Sequence, residues 1–189
     1  MGFLSKDQIE AMGFASVGRD VKLSDKASFY GCSRISIGDK TRIDDFCVLS
    51  AGEGGISIGR YVHIAVGVTL IGRAGIEIGD FAGLSGRVSI YSSSDDYSGA
   101  AMTNPTLPEQ FTDVRHEAVK VEKHVIVGAG SVILPGVVLH EGAAVGALST
   151  VTKMCEAFSI YFGSPAKLLK RRERDLLRKE QEFLASLKE

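Results

Sequence analysis

The sequence predicts an all-β solenoid, because its apolar residues recur with a fixed period of six. Between Val121 and Glu156 an aliphatic residue opens every six, and the fifth position is small or β-branched. A helix cannot keep a six-residue apolar period on one face, and a flat strand would show a period of two. A fixed period over this length is the mark of a solenoid. The opening residues are Val121, Val127, Ile133, Leu139, Val145 and Val151.

The same period begins much earlier in the chain and is interrupted once. Successive groups of three sixes open at Val17, Ile37, Ile58 and Ile78, which lie 20, 21 and 20 residues apart. The next group is due near residue 98 but opens 23 residues later, at Val121. We therefore expect a loop inserted at 94–118 within a β-helix spanning 17–162. Loops this long inside a compact domain are usually functional or disordered.

The two ends of the chain are predicted to be helical. Ser5 and Gln8 form a capping-box pattern for a short helix that ends near Met12, so that residues 1–16 cap the open first coil. At the other end, Ser164 and Pro165 have the pattern of an N-cap and first helical residue. We therefore predict a C-terminal helix within 163–189.

The composition argues against several classes of protein. The net charge is −1, which does not favour binding to nucleic acid or to an anionic membrane. We see neither a signal peptide nor a run of apolar residues long enough to span a membrane. Cys32, Cys47 and Cys155 are odd in number and irregularly spaced, which argues against a disulfide framework and favours a reducing, cytoplasmic location.

The repeat and the strings VGALSTVTK and FGSPAKLLK resemble the hexapeptide-repeat acyltransferases, in particular the galactoside and maltose sugar O-acetyltransferases. The resemblance implies a left-handed parallel β-helix that assembles as a homotrimer. It also implies acetyl-CoA as co-substrate, lying in a groove between two prisms, with no metal ion. The expected reaction is acetylation of a sugar hydroxyl in surface polysaccharide or glycoconjugate biosynthesis.

The same resemblance suggests which residues bind the co-substrate. Ala129 and Ala147 match positions where backbone amides meet the pantetheine arm, and small residues there let a thin chain approach. Thr152 and Lys153 match the adenosine end of the site. Lys170 matches a position where a basic residue meets phosphate.

The identity of the general base is left open by the sequence. The family carries a histidine just inside the long loop, where this chain has Asp95 followed by Asp96. A carboxylate is a poor base for an alcohol near neutral pH unless its pKa is raised. Two adjacent carboxylates could raise one another's pKa. The alternatives are His116 in the loop and His63, which Asp95 could orient. The aspartates could also simply form a turn.

Three other functions compete with sugar O-acetylation. The first is N-acetylation of a nucleotide-linked amino sugar, since an amine attacks as the free base and needs less help. The second is a zinc enzyme of the γ-carbonic anhydrase type, which would need three histidines from neighbouring coils. The remaining histidines, His124 and His140, are expected at exposed corners. The four histidines, His63, His116, His124 and His140, lack the close paired spacing of such a site. The third is a scaffold without catalytic activity.

Overall fold

The chain folds into a triangular prism of parallel strands, and this confirms the predicted all-β solenoid. The computed structural model describes residues 2–187. Three short strands make one coil, and equivalent strands of successive coils pair in parallel to form the three faces. Six coils are complete, and β21 begins a seventh.

Each face is one sheet of parallel strands, except for the last strand of face 2, which pairs antiparallel. Face 1 contains β1 (Ser16–Val17), β4 (Ile35–Ile37), β7 (Ile56–Ile58), β10 (Ile76–Ile78), β15 (Val119–Val121) and β18 (Val138–Leu139). Face 2 contains β2 (Lys22–Leu23), β5 (Arg42–Ile43), β8 (His63–Ile64), β11 (Gly83–Leu84), β16 (Ile126–Val127), β19 (Ala144–Val145), β21 (Ser159–Phe162) and β22 (Lys167–Arg171). Face 3 contains β3 (Ser28–Tyr30), β6 (Val48–Ala51), β9 (Thr69–Gly72), β12 (Ser89–Tyr91), β17 (Val132–Ile133) and β20 (Thr150–Val151).

The six-residue period places the opening aliphatic residues inside the prism. From Ile37 to Val151 every one of them is buried, while Val17 and Phe29 in the first coil are half-buried. The fifth-position residues from Val125 to Cys155 are also buried. Burial raises the pKa of the Cys155 thiol to about 12, so this cysteine stays protonated as a core residue.

The predicted short N-terminal helix forms. Helix α1 spans Lys6–Ala11, and the Ser5 hydroxyl accepts the amide of Gln8 while the Gln8 side chain accepts the amide of Ser5. Leu4 and Ile9 pack on the core cluster beside the first coil. Met1 lies outside the described residues.

The C-terminal helix exists but begins ten residues later than its predicted first residue, Pro165. Helix α2 spans Asp175–Ser186. The preceding residues form β22 instead, which pairs antiparallel with β21 and closes the edge of face 2. The helix-start pattern at Ser164 and Pro165 was overridden because this segment extends an existing sheet. Residues 188 and 189 of the predicted helix lie outside the described part of the chain.

Helix α2 is held against one corner of the prism. At this corner Tyr61, Phe81 and His124 occupy equivalent positions on successive coils, each with a left-handed backbone. Their rings stack with centroids 5.1 and 5.2 Å apart. Phe183 of the helix meets the Tyr61 ring edge-on at 5.2 Å. Glu180 accepts hydrogen bonds from Lys123 at 2.6 Å and from His124 at 2.8 Å.

Candidate active site at the inserted loop

The long loop leaves the prism from the fourth coil, where the interrupted period predicts it. Its two ends are joined by a short antiparallel pair, β13 (Ser93–Ser94) and β14 (Arg115–His116). Below this pair the Glu117 amide donates to the carbonyl of buried Ser92 at 3.0 Å. The ends of the loop are therefore fixed to the coil by backbone hydrogen bonds.

An open cavity of about 470 Å³ lies at the base of this loop. It brings together Asp95, Asp96 and Thr152, which the sequence had placed in two separate groups of site residues. The loop supplies one wall of the cavity and the corner after face 3 supplies the other. The complete lining is Ser94, Asp95, Asp96, Tyr97, Asp113, Arg115, Leu134, Pro135 and Thr152.

The two adjacent aspartates have different environments. The Asp96 carboxylate accepts backbone amides from Ser98 at 2.8 Å and Ala101 at 3.0 Å, and these bonds lower its pKa to about 2. Asp96 therefore shapes the turn, and its pKa is lowered, although the sequence allowed that the adjacent carboxylates could raise one another's pKa. The exposed Asp95 carboxylate has no hydrogen-bond or ion-pair partner among residues 2–187.

The candidate histidines do not meet the aspartate loop within one chain. His116 is exposed on β14, in register with Ser93, and does not line the cavity. His63 lies on the outer side of face 2, where its Nε2 is 2.9 Å from Oδ2 of Asp44. The carboxylate that orients His63 inside the chain is thus Asp44, and Asp95 does not have this role.

Asp44 and Arg42 are the residues of this group that sequence reasoning missed. Asp44 also accepts a hydrogen bond from Nε of Arg42 at 2.6 Å. Burial opposes ionisation of Asp44, but the bonds from Arg42 and His63 outweigh it and lower its pKa. Both residues occupy outward positions of the repeat. The sequence feature that could have identified them is a run of ionisable residues on one side of the strand.

The two other histidines differ from each other in exposure. His124 occupies a corner, as expected, but it is not exposed, because helix α2 covers it and Glu180 bonds to its ring. His140 is half-exposed, with Nδ1 3.4 Å from Oε2 of Glu122. Within the described chain, no group of three His, Cys, Asp or Glu side chains could hold a metal ion.

The residues assigned to the co-substrate lie on the later coils. Ala129 and Ala147 are exposed at equivalent corners of the fifth and sixth coils, where the amide of Leu148 donates to the carbonyl of Ala129 at 2.9 Å. A side chain at Gly128 would collide with the backbone of Ala147. The small side chains of Ala129 and Ala147 therefore leave the backbone at these two positions accessible.

The two lysines assigned to the co-substrate, Lys153 at its adenosine end and Lys170 at phosphate, are both exposed but lie apart. Lys153 follows Thr152 directly, next to the loop cavity. Lys170 lies on β22 rather than on the predicted helix, and it lines a separate cavity with Arg171 and Arg172. The structure thus brings Thr152 to the aspartate loop and leaves Lys170 on the edge of face 2.

Comparison with known proteins shows close relatives along almost the whole chain. The dTDP-4-amino-4,6-dideoxy-D-glucose acyltransferase of Escherichia coli is 54% identical over 186 residues, covering 98% of this chain and 97% of that protein. A variant of AntD, an N-acyltransferase from Bacillus cereus, in complex with dTDP-4-amino-4,6-dideoxyglucose and coenzyme A, is 45% identical with a TM-score of 0.94; the match covers 97% of both chains. AntD in complex with dTDP and 3-hydroxybutyryl-CoA is 45% identical with a TM-score of 0.95, and the match covers 99% of this chain and 98% of AntD. No family model matches the chain.

The sugar O-acetyltransferases are more distant. A maltose O-acetyltransferase from Clostridium difficile shares 21% identity and a TM-score of 0.60, covering 89% of this chain and 75% of that one, which shows a common fold. The comparisons therefore favour the alternative of amine acylation over acetylation of a sugar hydroxyl. The resemblance to hexapeptide acyltransferases and the use of a coenzyme A thioester are confirmed. The chain belongs to the family of coenzyme A-dependent β-solenoid acyltransferases that includes the E. coli dTDP-4-amino-4,6-dideoxy-D-glucose acyltransferase and AntD.

Proposed function

We propose that this protein transfers an acyl group, acetyl in the simplest case, from coenzyme A to the amino group of a nucleotide-linked amino sugar. The acceptor class is dTDP-4-amino-4,6-dideoxyglucose. The observation that carries the proposal is the near end-to-end similarity to an acyltransferase named for this sugar and to AntD variants crystallised with it. Such an acylated sugar is suited to incorporation into a surface polysaccharide or glycoconjugate.

An amine acceptor fits the chemistry of this loop, which carries aspartates rather than a histidine where it leaves the prism. The neutral amine attacks the thioester carbonyl carbon, the C–N bond forms, and the C–S bond breaks as the coenzyme A thiolate leaves. The nitrogen then gives up one proton, which the thiolate can finally take. Once the amine is present as the free base, no further proton must be removed before the attack, whereas a hydroxyl needs a base in the transition state.

Asp95 is the loop residue best placed to receive the amine. Its carboxylate faces no competing partner in the described structure, and it lines the same cavity as Thr152. We propose that it accepts a hydrogen bond from the amine and orients the lone pair toward the thioester. Asp96 supports this arrangement indirectly, because its bonds to Ser98 and Ala101 hold the turn that presents Asp95. His116 is a weaker candidate because it lies outside the cavity lining.

The co-substrate assignments form the second part of the proposal. The exposed backbone at Ala129 and Ala147 would meet the pantetheine arm, and Thr152 and Lys153 would lie farther along the coenzyme. Lys170 is supported only by its charge and exposure, since it lines a different cavity.

The proposal places the enzyme in the cytoplasm. Its three cysteines are free thiols, as expected in a reducing compartment. No helix within residues 2–187 has the length and apolar character needed to span a membrane.

A paired-acceptor assay tests the proposed reaction. Purified protein is given acetyl-CoA with dTDP-4-amino-4,6-dideoxyglucose, or with the matched sugar that carries a 4-hydroxyl. We expect thiol release and a product heavier by one acetyl group only with the amine. Turnover of the hydroxyl sugar at an equal or greater rate would favour O-acetylation and overturn the proposal.

A further inference from the structure

Ser92 lies at the point where the inserted loop leaves the prism. It follows strand β12 on face 3 and precedes the short strand β13, after which Asp95 comes directly. The residue is completely buried, although the loop that it begins is largely exposed. A buried hydroxyl needs hydrogen-bond partners, and those of Ser92 belong to the coil below it.

Both the side chain and the backbone of Ser92 are bonded to neighbouring segments. Its hydroxyl donates to the carbonyl of Ile71 at 3.1 Å and accepts the amide of Ala74 at 2.9 Å. Its amide donates to the same carbonyl of Ile71 at 3.0 Å, and its carbonyl accepts the amide of Glu117 at 3.0 Å. Ser92 therefore connects the third coil to the departing and the returning ends of the loop.

The repeat explains why a hydroxyl is needed at this level. In the second coil, the amide of Gly54 donates to the carbonyl of Arg73, in the turn directly above it, at 3.0 Å. Ala74 has the equivalent position in the turn of the third coil. Above Ala74 the chain leaves the prism as the loop, so the amide of Ala74 donates instead to the Ser92 hydroxyl. The side chain thus replaces a backbone carbonyl at the point where the repeat is interrupted.

The same turn of the third coil also receives the chain as it returns from the loop. The amide of Val119 donates to the carbonyl of Gly75 at 3.1 Å, where strand β15 rejoins face 1. From this common base the paired strands β13 and β14 lead to the cavity that Asp95 lines. Because the Asp95 side chain is exposed, its position depends on the backbone that carries it.

We propose that Ser92 is a positioning residue for acyl transfer: its hydroxyl fixes the base of the loop to the third coil and thereby holds Asp95 where the amine is received. This role rests on the proposed function of Asp95. Ser92 is completely buried and acts on the reaction only through the loop. A misplacement of about 1 Å in a reacting geometry can cost roughly 10²-fold in rate, so the effect of this one hydroxyl should be measurable in kcat.

Kinetics of full-length Ser92→Ala with acetyl-CoA and dTDP-4-amino-4,6-dideoxyglucose test this role. The kcat should fall about tenfold, the equivalent of one buried hydrogen bond, and no more than it does in Asp95→Ala. The Kd for coenzyme A should stay unchanged. In the Asp95→Ala background, Ser92→Ala should change kcat less than about twofold, because Ser92 acts through Asp95.

Thr41→Val is the matched control for the loss of a buried hydroxyl. The Thr41 hydroxyl also accepts one amide, from Val62 at 3.1 Å, and donates to one carbonyl, of Gly59 at 2.8 Å. Thr41 is completely buried like Ser92, but it lies in the second coil, away from the loop. Its substitution should leave kcat unchanged. Ser92→Cys keeps the volume of the side chain but offers a poor acceptor, so it replaces Ser92→Ala if that protein does not fold.

Hydrogen exchange measures the attachment of the loop without reference to turnover. Exchange of the Glu117 amide should be about tenfold faster in Ser92→Ala and unchanged in Thr41→Val. Unchanged exchange and kcat in Ser92→Ala would overturn the proposal. An equal fall in kcat with and without Asp95 would also overturn it, because Ser92 would then act by another route. If the wild type does not acylate the amino sugar, the proposed function fails, but faster exchange at Glu117 would still establish that Ser92 fixes the loop.

Discussion

Replacing Glu180 by glutamine should release helix α2 from the corner of the prism. The Glu180 side chain is only 9% exposed and bridges Lys123 and His124. Breaking a buried ion pair costs roughly 3–5 kcal/mol. The loss of stability should be smaller here for two reasons. The Lys123 side chain is 38% exposed and can be hydrated, and glutamine can still form a hydrogen bond with His124. We therefore expect about 2 kcal/mol, close to the value of a hydrogen bond to a charged group.

Hydrogen exchange measures this loss directly, because the helix can open without unfolding the coils. A change of about 2 kcal/mol corresponds to roughly 30-fold faster exchange of amides in α2 (Asp175–Ser186). Amides of the inner coils should be unaffected. Glu182→Gln is the control, since Glu182 lies on the same helix but is half-exposed, and it should change exchange little. Equal exchange in the two variants would refute the reasoning.

The pH dependence of the same helix gives a second test. Burial of Glu180 opposes its ionisation, but the hydrogen bonds from Lys123 and His124 outweigh this and lower its pKa from the usual 4.5. A carboxyl whose pKa is lowered by folding stabilises the folded state above its unfolded pKa. The attachment of α2 should therefore be complete at neutral pH and weaken as pH falls below about 4.5 through the folded pKa. The Glu180→Gln protein should lack this contribution.

Three further predictions concern assembly and the site. Light scattering should give a trimer of about three times the 20.2 kDa chain mass, and a fully active monomer would contradict the proposed groove between prisms. Ala147→Phe should block the pantetheine path and abolish turnover with the assembly intact, so retained acetyl-CoA binding by calorimetry would count against that placement. For the base, loss of a general base costs about 10²–10⁴ in rate. With an amine acceptor, Asp95→Ala should lose less than this in kcat. A fall in kcat of two orders or more for His63→Ala, with dTDP affinity unchanged, would make His63 the base.

The sequence by itself determined the architecture of the prism, the position of the loop and the N-terminal cap. These features depend on local periodicity, because each six must bury its own aliphatic residue and each coil repeats the last. The predicted helix at Pro165 was wrong for the opposite reason. Its cap pattern is local, but its residues Lys167–Arg171 complete the hydrogen bonds of a sheet edge that only the folded prism presents.

Only the tertiary structure decided which polar residues meet. Asp44 and His63 lie 19 residues apart, and His124 and Glu180 lie 56 apart, yet each pair shares a hydrogen bond. The adjacent aspartates show the converse. They are neighbours in sequence but differ in their contacts, because backbone amides of the turn donate hydrogen bonds to Asp96. A repeat specifies which residues point inward, since burial is periodic. The pairing of outward side chains depends on how the coils stack and where the terminal helix docks, and no local pattern in the chain encodes that.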